Sequence, residues 1–205
     1  SGAVRLGIIF CVMDGCVNYS RRFYDEALRD PVTASPLVFP ETVFNAPASH
    51  LAALLGTTAI NYTLVGDHGT FLQGLSLAAD WLLADRVDGC LVIGAEELDW
   101  LTADAFHLFD RRLILSDGAG AIYLRCESAN ARAQLDAVSD AHLFTQQQSR
   151  TQAARLVRAE MPPGGTGELL CDGTQKLLRY DAAELSAWND WRGDPRGCEH
   201  ARYGS

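Results

Sequence analysis

The sequence predicts an α/β fold in which strands buried on both faces alternate with helices. Short apolar segments of the kind that form buried strands recur along the chain at Arg5–Val12, Asn61–Val65 and Asp88–Gly94. Between them lie longer stretches with apolar residues at helical spacing, such as Thr70–Ala84. Strands that are apolar throughout are typical of sheets covered by helices on both sides.

The beginning of the chain follows this alternation. The strand Arg5–Val12 ends in a loop that contains Asp14-Gly15. A helix is predicted over Tyr19–Arg29, where Asp30-Pro31 stops it. Pro36–Pro40 is a proline-bounded connector.

The next helix begins after Asn45 and ends at Gly56, a residue type common just past a helix C-terminus. The strand Asn61–Val65 then enters a sharp turn, Gly66–Gly69, and the long helix Thr70–Ala84 follows. The segment between the second strand and the third is therefore a turn followed by a buried helix.

The third strand, Asp88–Gly94, is followed after a gap by a glycine-rich segment, Asp117–Gly120, and a further strand, Ala121–Arg125. The glycine-rich segment lacks the lysine of a P-loop and precedes a strand. We interpret it as a hairpin whose glycines permit close backbone approach. From Asn130 the chain becomes polar, and no further element is assigned there.

Composition excludes several functional classes. The chain has 205 residues and a formal net charge of −9, which argues against nucleic-acid binding because phosphate contacts need a basic face. No stretch approaches the roughly 20 continuous apolar residues of a membrane span, and no signal peptide is recognised. The last 15 residues, 191–205, form a polar tail.

The cysteines and histidines do not predict a metal site. None of the six cysteines forms a C-x-x-C pair, and His50, His107, His142 and His200 share no ligand spacing. Several cysteines lie in apolar runs, where a free thiol behaves as a small hydrophobe. We therefore expect a cytoplasmic protein with reduced thiols and neither metal nor cofactor.

Four motifs occur in order in the middle of the chain. They are Asn45-Ala46-Pro47-Ala48, Asn61-Tyr62-Thr63, Gly89–Glu96 and Leu115–Ala121. In type, order and spacing they resemble the β-ketoacyl synthases, which are condensing enzymes of the thiolase superfamily. The resemblance covers roughly residues 5–127 well and the rest loosely. It implies a thiolase-like fold, with mixed sheets layered between helices, that is truncated relative to full-length ketosynthases.

The residue that carries the chemistry of that family differs here. In the family, a turn before a buried helix holds a cysteine, and a thiol at a helix N-terminus is activated as a nucleophile. The corresponding position is His68, preceded by Asp67 and followed by Gly69, so no thiol is present. The resemblance therefore implies that acyl transfer to a cysteine is unavailable, and we interpret His68 as occupying a vacated site.

A second position of the family also differs. Leu170–Gln175, followed by Asp181–Glu184, resembles the family segment whose histidine polarises the thioester. Asp172 stands in the place of that histidine. A carboxylate there would repel a developing oxyanion instead of donating to it.

These changes predict a catalytically silent subunit. By resemblance to chain length factors of type II polyketide systems, we expect a heterodimer with an active ketosynthase that receives chains from acyl carrier protein. Aryl polyene pathways, which use such pairs, are the setting we expect. The expected tunnel or interface residues lie in two places, the Cys11–Asn18 loop and the start of the third helix: Met13, Asp14, Cys16, Thr70 and Phe71. We assign residues 1–190 to a single domain of this kind.

Two alternatives remain open from the sequence. An active acyltransferase or hydrolase could use His68 with Asp67 or Asp172. A purely stabilising scaffold subunit would not influence product length. Glu96 and Glu97 could also form an acid pair, although we expect Glu96 to bind neighbouring backbone.

Overall fold

The computed structural model describes residues 4–67, 69–109, 111, 114–126, 129–161, 182–183 and 185–188. They belong to two compact units that divide between Gln134 and Leu135. The first unit contains the sheet and four of the described helices.

The first unit is built on a mixed four-stranded sheet. Its strands are β1 (Leu6–Val12), β2 (Asn61–Val65), β3 (Gly89–Glu96) and β4 (Gly118–Leu124), in the spatial order β2-β1-β3-β4. β1 pairs in parallel with both β2 and β3, so that Ile9 lies between Tyr62 and Val92. β4 pairs antiparallel with β3. The first three strands lie where the sequence predicts them.

The helices of this unit are α1 (Val17–Arg29), α2 (Ala46–Leu55), α3 (Thr70–Leu83) and α4 (Trp100–His107), with a 3-10 turn at Phe39–Thr42. The predicted helix ends are confirmed at Asp30, which caps α1, and at Gly56, which caps α2 with a φ of 65°. No prediction covered α4. It begins at Asp99, whose side chain accepts a hydrogen bond from the Leu101 amide at 2.8 Å.

Helices cover the two central strands on both faces. Ile8 and Ile93 pack against Ala48 and Ala52 of α2. On the other face α3 approaches the sheet at Gly74, where an added Cβ would lie 2.6 Å from the Cys11 sulfur, 3.1 Å from Val92 and 3.4 Å from Ile9. This is the doubly covered α/β arrangement that the sequence predicts.

The connections place a crevice between β1 and β3. From β1 the chain crosses to β2 on one side of the sheet, and from β2 it returns past β1 to β3. α2 and α3 occupy opposite faces because each parallel crossover is right-handed. In sheets of this topology, ligands bind beyond the carboxyl ends of the strands where the chain direction switches.

The edge strand β4 departs from the predictions. Six of its seven residues are exposed. Among the described elements, β4 packs mainly against β3. Burial on both faces therefore holds for β1 and β3. It is wrong for β4 and for β2, which has no buried residue. An added Cβ at Gly118 or Gly120 would meet nothing within 4 Å, so these glycines do not serve close backbone approach within the described chain.

The second unit contains a helix that the sequence analysis did not assign. α5 (Arg150–Glu160) begins with a capping box in which Ser149 and Gln152 exchange hydrogen bonds between side chain and backbone. The Arg158 guanidinium lies 5.0 Å from the centre of the Trp188 ring. The polar tail, 191–205, lies outside the described residues.

Candidate functional site

A cavity of about 280 Å³ opens at the carboxyl ends of β1 and β3. Residues from four places along the chain line it: Cys11, Val12 and Met13; Asp67, Thr70 and Phe71; Gly94, Ala95 and Glu96; Ser116, Gly118, Ala119 and Gly120. Its volume is at the lower end of the roughly 300–1,000 Å³ typical of small-molecule sites. The cavity thus occupies the crevice that the strand order predicts.

One wall of the cavity is the loop that follows β1. The backbone amide of Met13 donates a hydrogen bond to the Glu96 carboxylate at the end of β3. Gly15 has a φ of 67°, and an added Cβ there would overlap the Phe44 ring. The loop is therefore held at both ends, and the expectation that Glu96 binds neighbouring backbone is confirmed.

The opposite wall is the entry to α3. The Asp67 carboxylate accepts a hydrogen bond from the Gly69 amide at 2.8 Å, and the Asp67 carbonyl accepts one from the Thr70 amide at 3.0 Å. Thr70 is only 4% exposed. An added Cβ at Gly66 would lie 2.5 Å from the Thr70 hydroxyl oxygen, so the chain turns tightly before the helix.

All four described cysteines are free, and three of them have a raised pKa. Burial raises the pKa of the Cys11 thiol, which lines the cavity, to about 11. Burial also raises the pKa of Cys90 in β3 to about 12. The pKa of Cys16 is raised by burial and by the nearby carboxylates of Glu41 and Glu97. These thiols are protonated at neutral pH and are poor nucleophiles.

The structure brings together five of the residues singled out in the sequence. They all line the cavity: Met13, Asp67, Thr70, Phe71 and Glu96. Asp14 and Cys16 belong to the same loop as Met13 and are half-buried, but they are not among the lining residues. His68 and Asp172, the two positions expected to be vacated, lie outside the described residues.

Sequence reasoning missed part of the wall. Ala95 lies at the carboxyl end of β3, and Gly118 and Gly120 lie beside it at the amino end of the antiparallel strand β4. For Ala95 the usable signal was its position at a strand end, since carboxyl ends of parallel strands meet at one edge of a sheet. The strand order needed to apply it becomes available only with the fold.

The cavity suits an uncharged ligand. Its described lining is mostly apolar, and the ionisable side chains in it, apart from the Cys11 thiol, are the carboxylates of Asp67 and Glu96. Among the described residues, no group of three His, Cys, Asp or Glu side chains could hold a metal ion. An apolar ligand meets these conditions better than an anionic ligand does.

Exposed apolar side chains occur, among other places, in the segment between α1 and α2 and on β2. Five lie in the segment between α1 and α2: Val32, Leu37, Phe39, Val43 and Phe44. Tyr62 and Val65 on β2, at the edge of the sheet, are 52% and 48% exposed. Large exposed apolar patches on soluble proteins commonly mark interaction sites.

Comparison with solved structures identifies the fold. The chain is similar to the ishigamide ketosynthase/chain length factor, with a TM-score of 0.67 and 16% identity over 91% of this chain and 55% of that chain. The chain has a ketosynthase fold. No family model matches the sequence, and a search of curated proteins found no match.

Two further structures share this ketosynthase fold. One is the ketosynthase ApeO in complex with its chain length factor ApeC from Xenorhabdus doucetiae, with a TM-score of 0.51 and 17% identity over 62% of this chain and 52% of that chain. The other is AntDE:AntF, a type II polyketide synthase acyl carrier protein in complex with its ketosynthase, with a TM-score of 0.63 and 12% identity over 91% of this chain and 56% of that chain. The chain thus spans just over half the length of these ketosynthase-fold chains.

Among the described helices of this ketosynthase-fold chain, none is both long enough and apolar enough to cross a membrane.

Proposed function

We propose that this chain is a catalytically silent, chain-length-factor-like subunit that pairs with an active ketosynthase. In this proposal the partner's cysteine carries the growing acyl chain, which it receives from acyl carrier protein. The present chain supplies part of the tunnel wall and half of the interface. Two of the similar solved structures are of a ketosynthase with its chain length factor.

One observation carries the proposal. The turn that leads into α3 reads Gly66-Asp67-His68-Gly69, and the sequence contains no cysteine from Val65 to Gly89. A buried helix begins directly after this turn, at the edge of a cavity. A helix N-terminus of the kind that activates a nucleophilic thiol is present. The sequence has no thiol at this position.

The cavity supports a role in shaping an acyl tunnel. Met13 and Phe71 both line a mostly apolar space, and the volume of such lining side chains limits the ligand that fits. Gly94 lies under the Phe71 ring, where an added Cβ would be 3.0 Å from the ring carbon Cδ2. The ring is therefore seated against the sheet and forms a firm boundary.

Exposed surface supports the presence of a partner. Tyr62 and Val65 are about half exposed on an edge strand whose outer side has no neighbouring strand among the described residues. Exposed edges invite pairing with another chain unless they are covered. In the proposal, the active ketosynthase covers this edge.

The experiment is acylation measured by intact mass. The chain is co-expressed with an active ketosynthase from the same genome, purified as a complex and supplied with an acyl-carrier thioester. We expect the acyl adduct on the ketosynthase alone, and no adduct or hydrolysis from this chain by itself.

His68→Ala separates the main alternative. An acyltransferase or hydrolase that uses His68 would turn over the thioester alone and lose this turnover in the variant. The proposed silent subunit shows no turnover in either form. Recovery of the chain as a monodisperse monomer that does not bind a ketosynthase would also contradict the proposal.

A further inference from the structure

The loop that walls the cavity rests on an aromatic ring outside it. Gly15 has a φ of 67°, a conformation that favours glycine. An added Cβ would overlap the Cδ1 and Cε1 atoms of Phe44. The ring of Phe44 therefore lies directly against the backbone at Gly15.

A second contact joins the same two segments. The Cys16 thiol donates a weak hydrogen bond to the carbonyl oxygen of Val43 at 3.5 Å. Cys16 directly follows Gly15, and Val43 directly precedes Phe44. Two adjacent contacts fix both the position and the direction of the loop relative to the segment before α2.

The other end of the loop reaches the cavity. Met13 lines it and is held by Glu96, which also lines it. Movement of the loop at Gly15 would move Met13, because only Asp14 separates the two residues. The contact of the Phe44 ring with Gly15 thus affects the position of Met13 in the cavity wall.

We propose that Phe44 is a positioning residue whose ring, packed on Gly15, holds the Met13–Cys16 loop against Glu96 and so fixes one wall of the cavity. Phe44 does not line the cavity and is 48% exposed. The ring therefore acts on the cavity wall from outside the cavity. The consequence for acyl-chain length rests on the proposed function; the packing role does not.

The test is alkylation of the purified full chain with N-ethylmaleimide, with each cysteine followed by peptide mass spectrometry. In Phe44→Ala, we expect Cys11 and Cys16 to react about tenfold faster than in the wild type, because loss of an aromatic contact favours local opening by at least that factor. Cys90, fully buried in β3, reports global unfolding and should stay protected. Phe44→Tyr keeps the ring and should react at the wild-type rate.

The matched control is Phe39→Ala. Phe39 is similarly exposed, at 55%, but its ring packs on Phe23 with centroids 5.3 Å apart instead of on the loop. Its removal should leave Cys11 and Cys16 unchanged. If Phe44→Ala unfolds the chain, Phe44→Leu replaces it, because leucine removes the ring but keeps an apolar side chain. Cys11 and Cys16 should again react faster than in the wild type.

Two results overturn the positioning role: wild-type labelling of Cys11 and Cys16 in Phe44→Ala and Phe44→Leu, or labelling that rises equally at Cys90. No acyl substrate is involved, so this failure is independent of the proposed function. By contrast, a variant with faster labelling but unchanged product length in the ketosynthase complex would retain the positioning role and overturn the proposed effect on the acyl tunnel.

Discussion

The backbone amide of Met13 donates a hydrogen bond to the carboxylate of Glu96, which joins the loop after β1 to the carboxyl end of β3. Both residues line the cavity. A hydrogen bond to an ionised acceptor is stronger than one between neutral groups. This contact therefore fixes the cavity wall on the side where the strand order switches.

Removal of the acceptor should be measurable as lost stability. We expect Glu96→Ala to lower the free energy of unfolding by about 1–2 kcal/mol, because the half-buried Met13 amide loses its partner. Glu96→Gln keeps a carbonyl oxygen and should lose less. Glu97→Ala, at an exposed neighbour, should change the stability by under about 0.5 kcal/mol. Urea denaturation compares the variants, and equal stability of Glu96→Ala and wild type would contradict the assigned contact.

The close approach of α3 to the sheet gives a second prediction. Gly74→Ala places a Cβ 2.6 Å from the Cys11 sulfur and should destabilise the fold by about 1–3 kcal/mol through overpacking. The double variant with Cys11→Ala removes the clashing sulfur and should recover part of this loss. Gly120→Ala adds a Cβ that meets nothing and serves as the control. Equal melting temperatures of Gly74→Ala and Gly120→Ala would contradict the close packing at Gly74.

The reactivity of Cys11 should depend on pH in a characteristic way. Its pKa is about 11, and only the thiolate reacts with alkylating agents. The labelling rate should therefore rise about tenfold per pH unit through pH 9, where an ordinary thiol with a pKa of about 8.5 is already levelling off. A plateau of the Cys11 rate below pH 8 would reveal an activated thiol and would weaken the proposal of a silent subunit.

The edge strand should be needed for pairing. Val65→Glu puts a charge on the exposed edge of β2 and should reduce co-purification of the ketosynthase at least about tenfold, because an unpaired charge buried in an interface costs more than 1.4 kcal/mol. Leu83→Glu introduces the same charge at an 81% exposed position at the far end of α3. It should leave pairing intact. Equal co-purification of both variants would exclude the β2 edge from the interface.

The strands and the longer helices were predictable because local chemistry determines them. β2 has the predicted bounds, and α3 begins at the predicted Thr70. α4 and α5 were not predicted, although Asp99 and the Ser149–Gln152 pair are capping signals. α4 is only eight residues long and α5 is mostly polar, so their caps were the clearest available signal.

The site was predictable where it depends on the end of one element. The resemblance to ketosynthases predicted Met13, just after β1, and Thr70, at the start of α3, as tunnel or interface residues, and both line the cavity. The contribution of β4 and the contact between Gly15 and Phe44 depend on which segments meet in space. Burial of β4 was mispredicted because an apolar strand pattern does not reveal whether another element covers it.

The most direct test of the central claim is the length distribution of the acyl products made by the ketosynthase complex. Met13→Ala enlarges the cavity and Met13→Trp reduces it, and both complexes must first be shown to remain intact by size-exclusion chromatography. The account predicts longer products with Met13→Ala and shorter products with Met13→Trp, each read by mass spectrometry. Identical product lengths from all three intact complexes would contradict a tunnel-shaping role and leave only a stabilising one.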